Sequence, residues 1–139
     1  MKVKRLINNL MVENVRNSSE FYISNLGFEL VIAVPDGTQD VEYSYRDGVT
    51  YAFAIIKKGE VELMFQSLKS VRDEFPEVHE CGVGCSAIFY MQVTDIEELF
   101  EKLEYKTNII KGLHESFYGM KEFYIKDPDG YILGFAEKA

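Results

Sequence analysis

Short apolar blocks separated by charged or glycine-containing breaks run along the chain, and their periods predict its elements. Residues 5–12 (RLINNLMV) read as a strand that ends at Glu13 and Asn14, with Asn14 a helix N-cap. From Val15 onward the apolar positions Val15, Phe21, Tyr22 and Leu26 share a helical face, Ser18, Ser19 and Glu20 lie outward, and Gly27 is the stop. A strand over residues 28–34 closes at Pro35-Asp36-Gly37, and the polar stretch 36–48 reads as a loop with a short strand over 41–45. Residues 50–57 and 60–66 flank Lys58-Gly59 as a β-hairpin.

The second half repeats this order. After a charged stretch broken by Pro76, Gly82 and Gly84, residues 86–93 (SAIFYMQV) predict a strand, and Asp95 followed by Glu98 predicts a capping box. Ile96, Leu99, Phe100 and Leu103 then form an amphipathic helical face. Strands follow over 108–111, 121–126 and 131–136, the last two joined by Asp127-Pro128-Asp129-Gly130, in which Pro fixes one turn dihedral and Gly accepts a positive φ. Val12-Glu13-Asn14-Val15 matches Val93-Thr94-Asp95-Ile96, giving a pseudo-repeat of about 80 residues. We therefore expect one α+β domain over 1–139: paired βαβββ modules, 1–66 and 86–139, joined by a linker at 67–85 that holds at most a short helix. Neither module buries its sheet alone, so a curled eight-stranded sheet with helices outside and an inter-sheet cleft is the expected architecture.

Composition narrows the function. The chain of 139 residues is 47% apolar, with ten Phe and nine Tyr, enough for a packed core. It lacks both the long apolar run of a membrane span and a secretory leader pattern, which predicts a cytoplasmic protein with no membrane partner. A net charge of −8 disfavours nucleic acid and favours a cationic over an anionic ligand. His79, Cys81 and Cys85 offer at most three soft ligands where structural zinc takes four, so the cysteines are expected to be reduced thiols in a linker.

Several segments together resemble a known superfamily: Asn9-Leu10-Met11-Val12, Ser19-Glu20-Phe21-Tyr22, Leu26-Gly27-Phe28, Tyr118-Gly119-Met120-Lys121-Glu122-Phe123 and Asp127-Pro128-Asp129-Gly130-Tyr131. They are similar to the vicinal oxygen chelate superfamily of glyoxalase I, extradiol dioxygenases, and fosfomycin- and bleomycin-resistance proteins. The resemblance implies paired βαβββ modules and, in the metal enzymes, one ligand on each of four strands. Those positions fall here on Ile7, Glu62, Ile88 and Gly134, so one donor of four is present. A catalytic divalent metal takes about three protein ligands. His79 and His114 lie outside the four positions, His114 in a polar loop segment.

Strand alternation from these positions gives the expected cleft lining: Asn9 and Met11, Glu62, Met64 and Gln66, then Tyr90 and Gln92, with Phe117 and Tyr118 on one wall. The same alternation is also what a filled core produces, and Glu62 is the residue that tells the two apart. The leading expectation is a binding protein without metal or cofactor, of the bleomycin-resistance type, that sequesters a small aromatic or cationic molecule; the resemblance implies a homodimer. The alternatives are a metal-dependent lyase, isomerase or dioxygenase of the glyoxalase I type, and a metal-free enzyme using Glu62 as general base with Tyr90 or Tyr118 as proton donor.

Overall fold

Asn14 starts the first helix as its chemistry requires: its side chain accepts a hydrogen bond from the Asn17 amide, and Gly27 ends the helix at φ 72°. The computed structural model describes residues 1–78, 82–84 and 86–139, in two units, Met1–Val83 and Gly84–Ala139. The expected reading of His79, Cys81 and Cys85 lies outside the described residues.

The first unit contains β1 (Asn8–Val12), α1 (Val15–Leu26), β2 (Glu29–Pro35), β3 (Tyr51–Lys58), β4 (Val61–Ser67) and α2 (Leu68–Glu74), followed by a 3-10 turn at Pro76–Val78. Its sheet has the order β1-β4-β3-β2, with β1 parallel to β4 and the other pairs antiparallel. Alternation decides the faces. Leu10, Val12, Leu63 and Phe65 are buried on the helix side, where Tyr22 from α1 meets Phe28 and Phe65 edge-on at centroid distances of 5.9 and 5.3 Å. The expected strand at 41–45 is reduced to one bridge, Ala33 to Glu42, because Glu42 and Tyr45 are drawn into local side-chain bonds with Arg46, Tyr51 and Ser19. The stretch read as a linker with a short helix opens with α2, capped by the Ser67 hydroxyl.

The second unit contains β5 (Ile88–Gln92), α3 (Ile96–Leu103), β6 (Asn108–Glu115), β7 (Met120–Lys126) and β8 (Ile132–Lys138). Its order, β5-β8-β7-β6 with β5 parallel to β8, repeats that of the first sheet. The eight strands form two four-stranded mixed sheets, one in each unit, in the expected α+β order of paired βαβββ modules. Phe123, Ile125, Leu133 and Phe135 form the buried helix side, with Phe123 stacked on Phe135 at 4.8 Å and in edge contact with Phe100 of α3.

Two expectations about this unit are corrected. Asp95 forms no capping box: it adopts the left-handed conformation, φ 57°, and no side-chain cap bond forms. Glu137 on β8 takes that role, accepting from the amides of Asp95 at 3.2 Å and Ile96 at 2.9 Å. A carboxylate there satisfies free N–H groups and complements the helix dipole. Strand β6, expected to end at Lys111, continues to Glu115, so His114 is a strand residue, paired with Glu122, and not a loop residue. Two register shifts, between Ile109 and Lys111 and between Lys111 and His114, mark the irregularity that Gly112 signals in the sequence. Bulges of this kind re-aim side chains at sheet edges, and β6 is an edge strand.

Glu137→Ala is expected to destabilise the protein by about 1 kcal/mol, the usual loss on removing a helix cap, while Asp95→Asn changes stability by less than about 0.5 kcal/mol. Urea unfolding midpoints of the two variants measure the difference.

Candidate functional site

Tyr90 on β5, Gly134 on β8 and Tyr124 on β7 are direct neighbours across the sheet, on the face opposite α3, and one step further along lie Gln92, Ala136, Glu122 and His114. The small residues of β8 shape this face. A Cβ built on Gly134 would stand 2.6 Å from the Tyr124 ring and 3.3 Å from the Tyr90 ring, so both rings lie over a bare backbone. With no side chain between them, the two phenols reach the carboxylate of Glu122.

Glu122 is 2% exposed and is the hub of the site. Its Oε1 accepts hydrogen bonds from the hydroxyls of Tyr90 and Tyr118, each at 2.5 Å, and its Oε2 accepts from Tyr124 at 3.1 Å. His114 stands beside it, Nε2 lying 3.7 Å from Oε2, while Nδ1 is 2.8 Å from the Gly112 carbonyl. Burial alone would push the Glu122 carboxyl up, but the bonds from Tyr118, Tyr90 and Tyr124 and the nearby His114 outweigh it, and its pKa is lowered. The tyrosines that cover it are themselves part-exposed, Tyr90 at 44% and Tyr118 at 54%. The tyrosines move the other way. Their bonds to Glu122 come first for Tyr90 and Tyr118 and burial comes first for Tyr124, which is pushed up to about 12. At neutral pH the cluster is therefore one carboxylate held by three un-ionised phenols.

This cluster borders a concave pocket of about 620 Å³, walled by Ile88, Ile110, Ile132, Phe117, Tyr118 and Tyr124, with Lys111, His114 and Glu115 on its polar side. Ile88, Ile110, Phe117 and Tyr118 are all large apolar or aromatic groups left exposed here.

Of the residues expected from sequence, Phe117 and Tyr118 line this pocket and Tyr90 bonds to its carboxylate. Gln92 lies on the same face, beside Ala136. Asn9, Met11, Glu62, Met64 and Gln66 belong to the first unit, on the face of its sheet opposite α1. There Asn9 donates to Gln66 at 2.8 Å, and Gln66 donates on to Ser70 and Glu74. Glu62 is part-exposed and paired with Arg5 at 2.7 Å. Sequence reasoning missed Glu122, Tyr124 and His114. The available signal was alternation along β7, where Glu122 and Tyr124 fall out of phase with Phe123 and Ile125, opposite two of the smallest residues in β8.

The four metal-ligand positions do not fit an ion. Ile7, Ile88 and Gly134 carry no donor, the space a Gly134 side chain would enter holds the Tyr124 and Tyr90 rings, and Glu62 is engaged by Arg5. Among the described residues no group of three or more His, Cys, Asp or Glu could hold a metal ion. Nor is any described helix long and apolar enough to cross a membrane.

Comparison with known proteins agrees with the fold. A solved structure of a protein of unknown function from Agrobacterium tumefaciens str. C58 is 18% identical, with a TM-score of 0.72 and coverage of 100% of this chain and 98% of that one. TioX from Micromonospora sp. ML1 is 15% identical, with a TM-score of 0.69 over 99% of this chain and 100% of its own. A glyoxalase/bleomycin resistance protein/dioxygenase from Nocardioides is 16% identical, with a TM-score of 0.71 over 99% of this chain and 85% of its own. Among curated proteins, none matches the sequence. The model of the Glyoxalase/Bleomycin resistance protein/Dioxygenase superfamily matches residues 5–135, and with the doubled βαβββ order the chain belongs to that superfamily.

Proposed function

We propose that this protein binds a small organic molecule in the pocket of its second unit and holds it without bond chemistry. One observation carries the reading: a buried, ionised carboxylate, Glu122, sits beside exposed apolar walls large enough to take a small aromatic body. Pockets of this kind bind through apolar area and use a few fixed polar groups to orient the ligand. The protonation states favour holding over turnover. A carboxylate with a lowered pKa is a weak general base, and phenols with raised pKa values are reluctant proton donors. The same reading extends to a homodimer, supported by the exposed Ile88, Ile110 and Phe117, and sedimentation velocity checks it.

Isothermal titration against a panel of aromatic and cationic compounds, bleomycin included, is expected to find binding. Glu122→Gln should weaken that binding about tenfold or more, in line with the ~1.5–3 kcal/mol of a hydrogen bond to a charged group, while Glu62→Gln leaves it unchanged. Absence of heat throughout the panel rejects the proposal, and so does a stoichiometric, tightly held transition metal in the purified protein. Reversal of the two variants' effects would move the site to the first unit.

Gly134→Ala tests the wall directly. The added methyl must displace the Tyr124 ring, so stability should fall by about 1–3 kcal/mol, the usual cost of overpacking, and ligand binding should be lost with it. The acid limb has a defined sign. Glu122 has a folded pKa below its unfolded one, so its contribution is present above the unfolded value and is lost as pH falls through the folded one. In Glu122→Gln, unfolding midpoints should therefore depend less steeply on pH below the ordinary carboxylate range.

A further inference from the structure

A carboxylate offers about four lone-pair positions, two on each oxygen. In Glu122 both positions on Oε1 are filled, by Tyr90 and Tyr118, and one on Oε2 is filled by Tyr124. The fourth is open: among the described residues no donor stands within hydrogen-bond distance of it, and the nearest candidate, His114 Nε2, is 3.7 Å away. Lys111 lines the same pocket but forms no ion pair with Glu122.

His114 has a defined orientation. The Gly112 carbonyl 2.8 Å from Nδ1 can only accept, so Nδ1 carries the hydrogen, and in the neutral ring Nε2 presents a lone pair. Two acceptors, Glu122 Oε2 and His114 Nε2, then face one another 3.7 Å apart at the polar side of an otherwise apolar pocket. A single nitrogen with two hydrogens can stand at about 2.8 Å from both. A hydroxyl, with one hydrogen, satisfies only one of them.

We propose that the Glu122–His114 pair is the recognition point for a protonated amine or amidine carried on an apolar or aromatic body, and that protonation of His114 switches this site off. The proposal rests on the binding role argued above and adds the ligand class and its control. With a proton on Nε2, His114 becomes a donor. It then turns to the open position on Glu122, neutralises the carboxylate and repels a cation. The other titratable and charged groups facing the imidazole are Glu122 and Tyr124 on β7 and Tyr118 before it, Tyr90 on β5, and Lys111 and Glu115 on its own strand. The lowered carboxyl of Glu122 and the raised phenols of Tyr90, Tyr118 and Tyr124 keep those four groups in one charge state around neutral pH. Tyr118 and Tyr124 also supply ring faces, which attract a cation further.

The test uses benzylamine and benzamidine as cationic probes and benzyl alcohol as the neutral one, titrated into the intact protein and followed by NMR. Both cations should bind more tightly than the alcohol at about pH 8 and lose roughly tenfold or more in affinity by about pH 5, the interval in which imidazoles change charge, while the alcohol shows no such loss. By linkage, bound benzylamine should move proton uptake by His114 to lower pH, with His114→Asn identifying its resonance. His114→Asn should itself flatten the pH profile. Equal affinity for alcohol and amine, amine binding that strengthens at low pH, or a pH dependence that survives His114→Asn would overturn the proposal and leave the binding role standing. If none of the three probes nor any compound of the wider panel binds, the binding role fails and this proposal fails with it.

Discussion

A buried charged oxygen must be met by hydrogen-bond donors, and around Glu122 that requirement organises the face of the second unit's sheet opposite α3. Three phenols converge on the carboxylate from three directions, and each comes from a different part of the chain: Tyr90 from β5, Tyr118 from the turn before β7, and Tyr124 from β7 itself. They can do so because β8 contributes Gly134 and Ala136 at the facing positions, leaving room for rings to lie across the strand. Charge, ring placement and the absence of a side chain in β8 are one constraint expressed at three positions.

That constraint also explains how a superfamily known for metal enzymes can give a chain with a different polar centre. The position that the resemblance assigns to a carboxylate on the last strand is Gly134, and the carboxylate of this unit's pocket comes from the neighbouring strand instead. The negative charge on this face is held by a ring of hydroxyl donors. The donors cost nothing in protonation, since each phenol is held well on the neutral side of its titration.

The doubled fold was legible because its signals are local. Asn14 ahead of Val15, Gly27 after Leu26, Lys58-Gly59 between two apolar runs and Asp127-Pro128-Asp129-Gly130 each fix a boundary by their own chemistry. Of the pocket's lining the sequence pointed to Phe117 and Tyr118, and it pointed also to Tyr90, which bonds to the carboxylate there. Alternation counted along β1, β4 and β5 cannot reveal that two small residues in β8 leave room for the Tyr90 and Tyr124 rings beside Glu122, because that is a relation between strands. His114 was hidden for another reason: the irregular register of β6 around Gly112 breaks the two-residue period that would have identified a strand. The cap on α3 failed similarly, since a glutamate 41 residues beyond Ile96 leaves no mark near the helix it serves.

That distant glutamate has a consequence for the order of assembly. Strand β8 pairs with both β5 and β7, supplies the floor under the two tyrosine rings, and closes the start of α3 through Glu137. Only its pairing with β7 is a neighbour contact in sequence; β5 and the start of α3 are joined to β8 across the whole unit. Strand β5 and the start of α3 therefore gain their hydrogen-bonded partners only when residues 132–138 are in place, whereas β6, β7 and β8 pair in chain order.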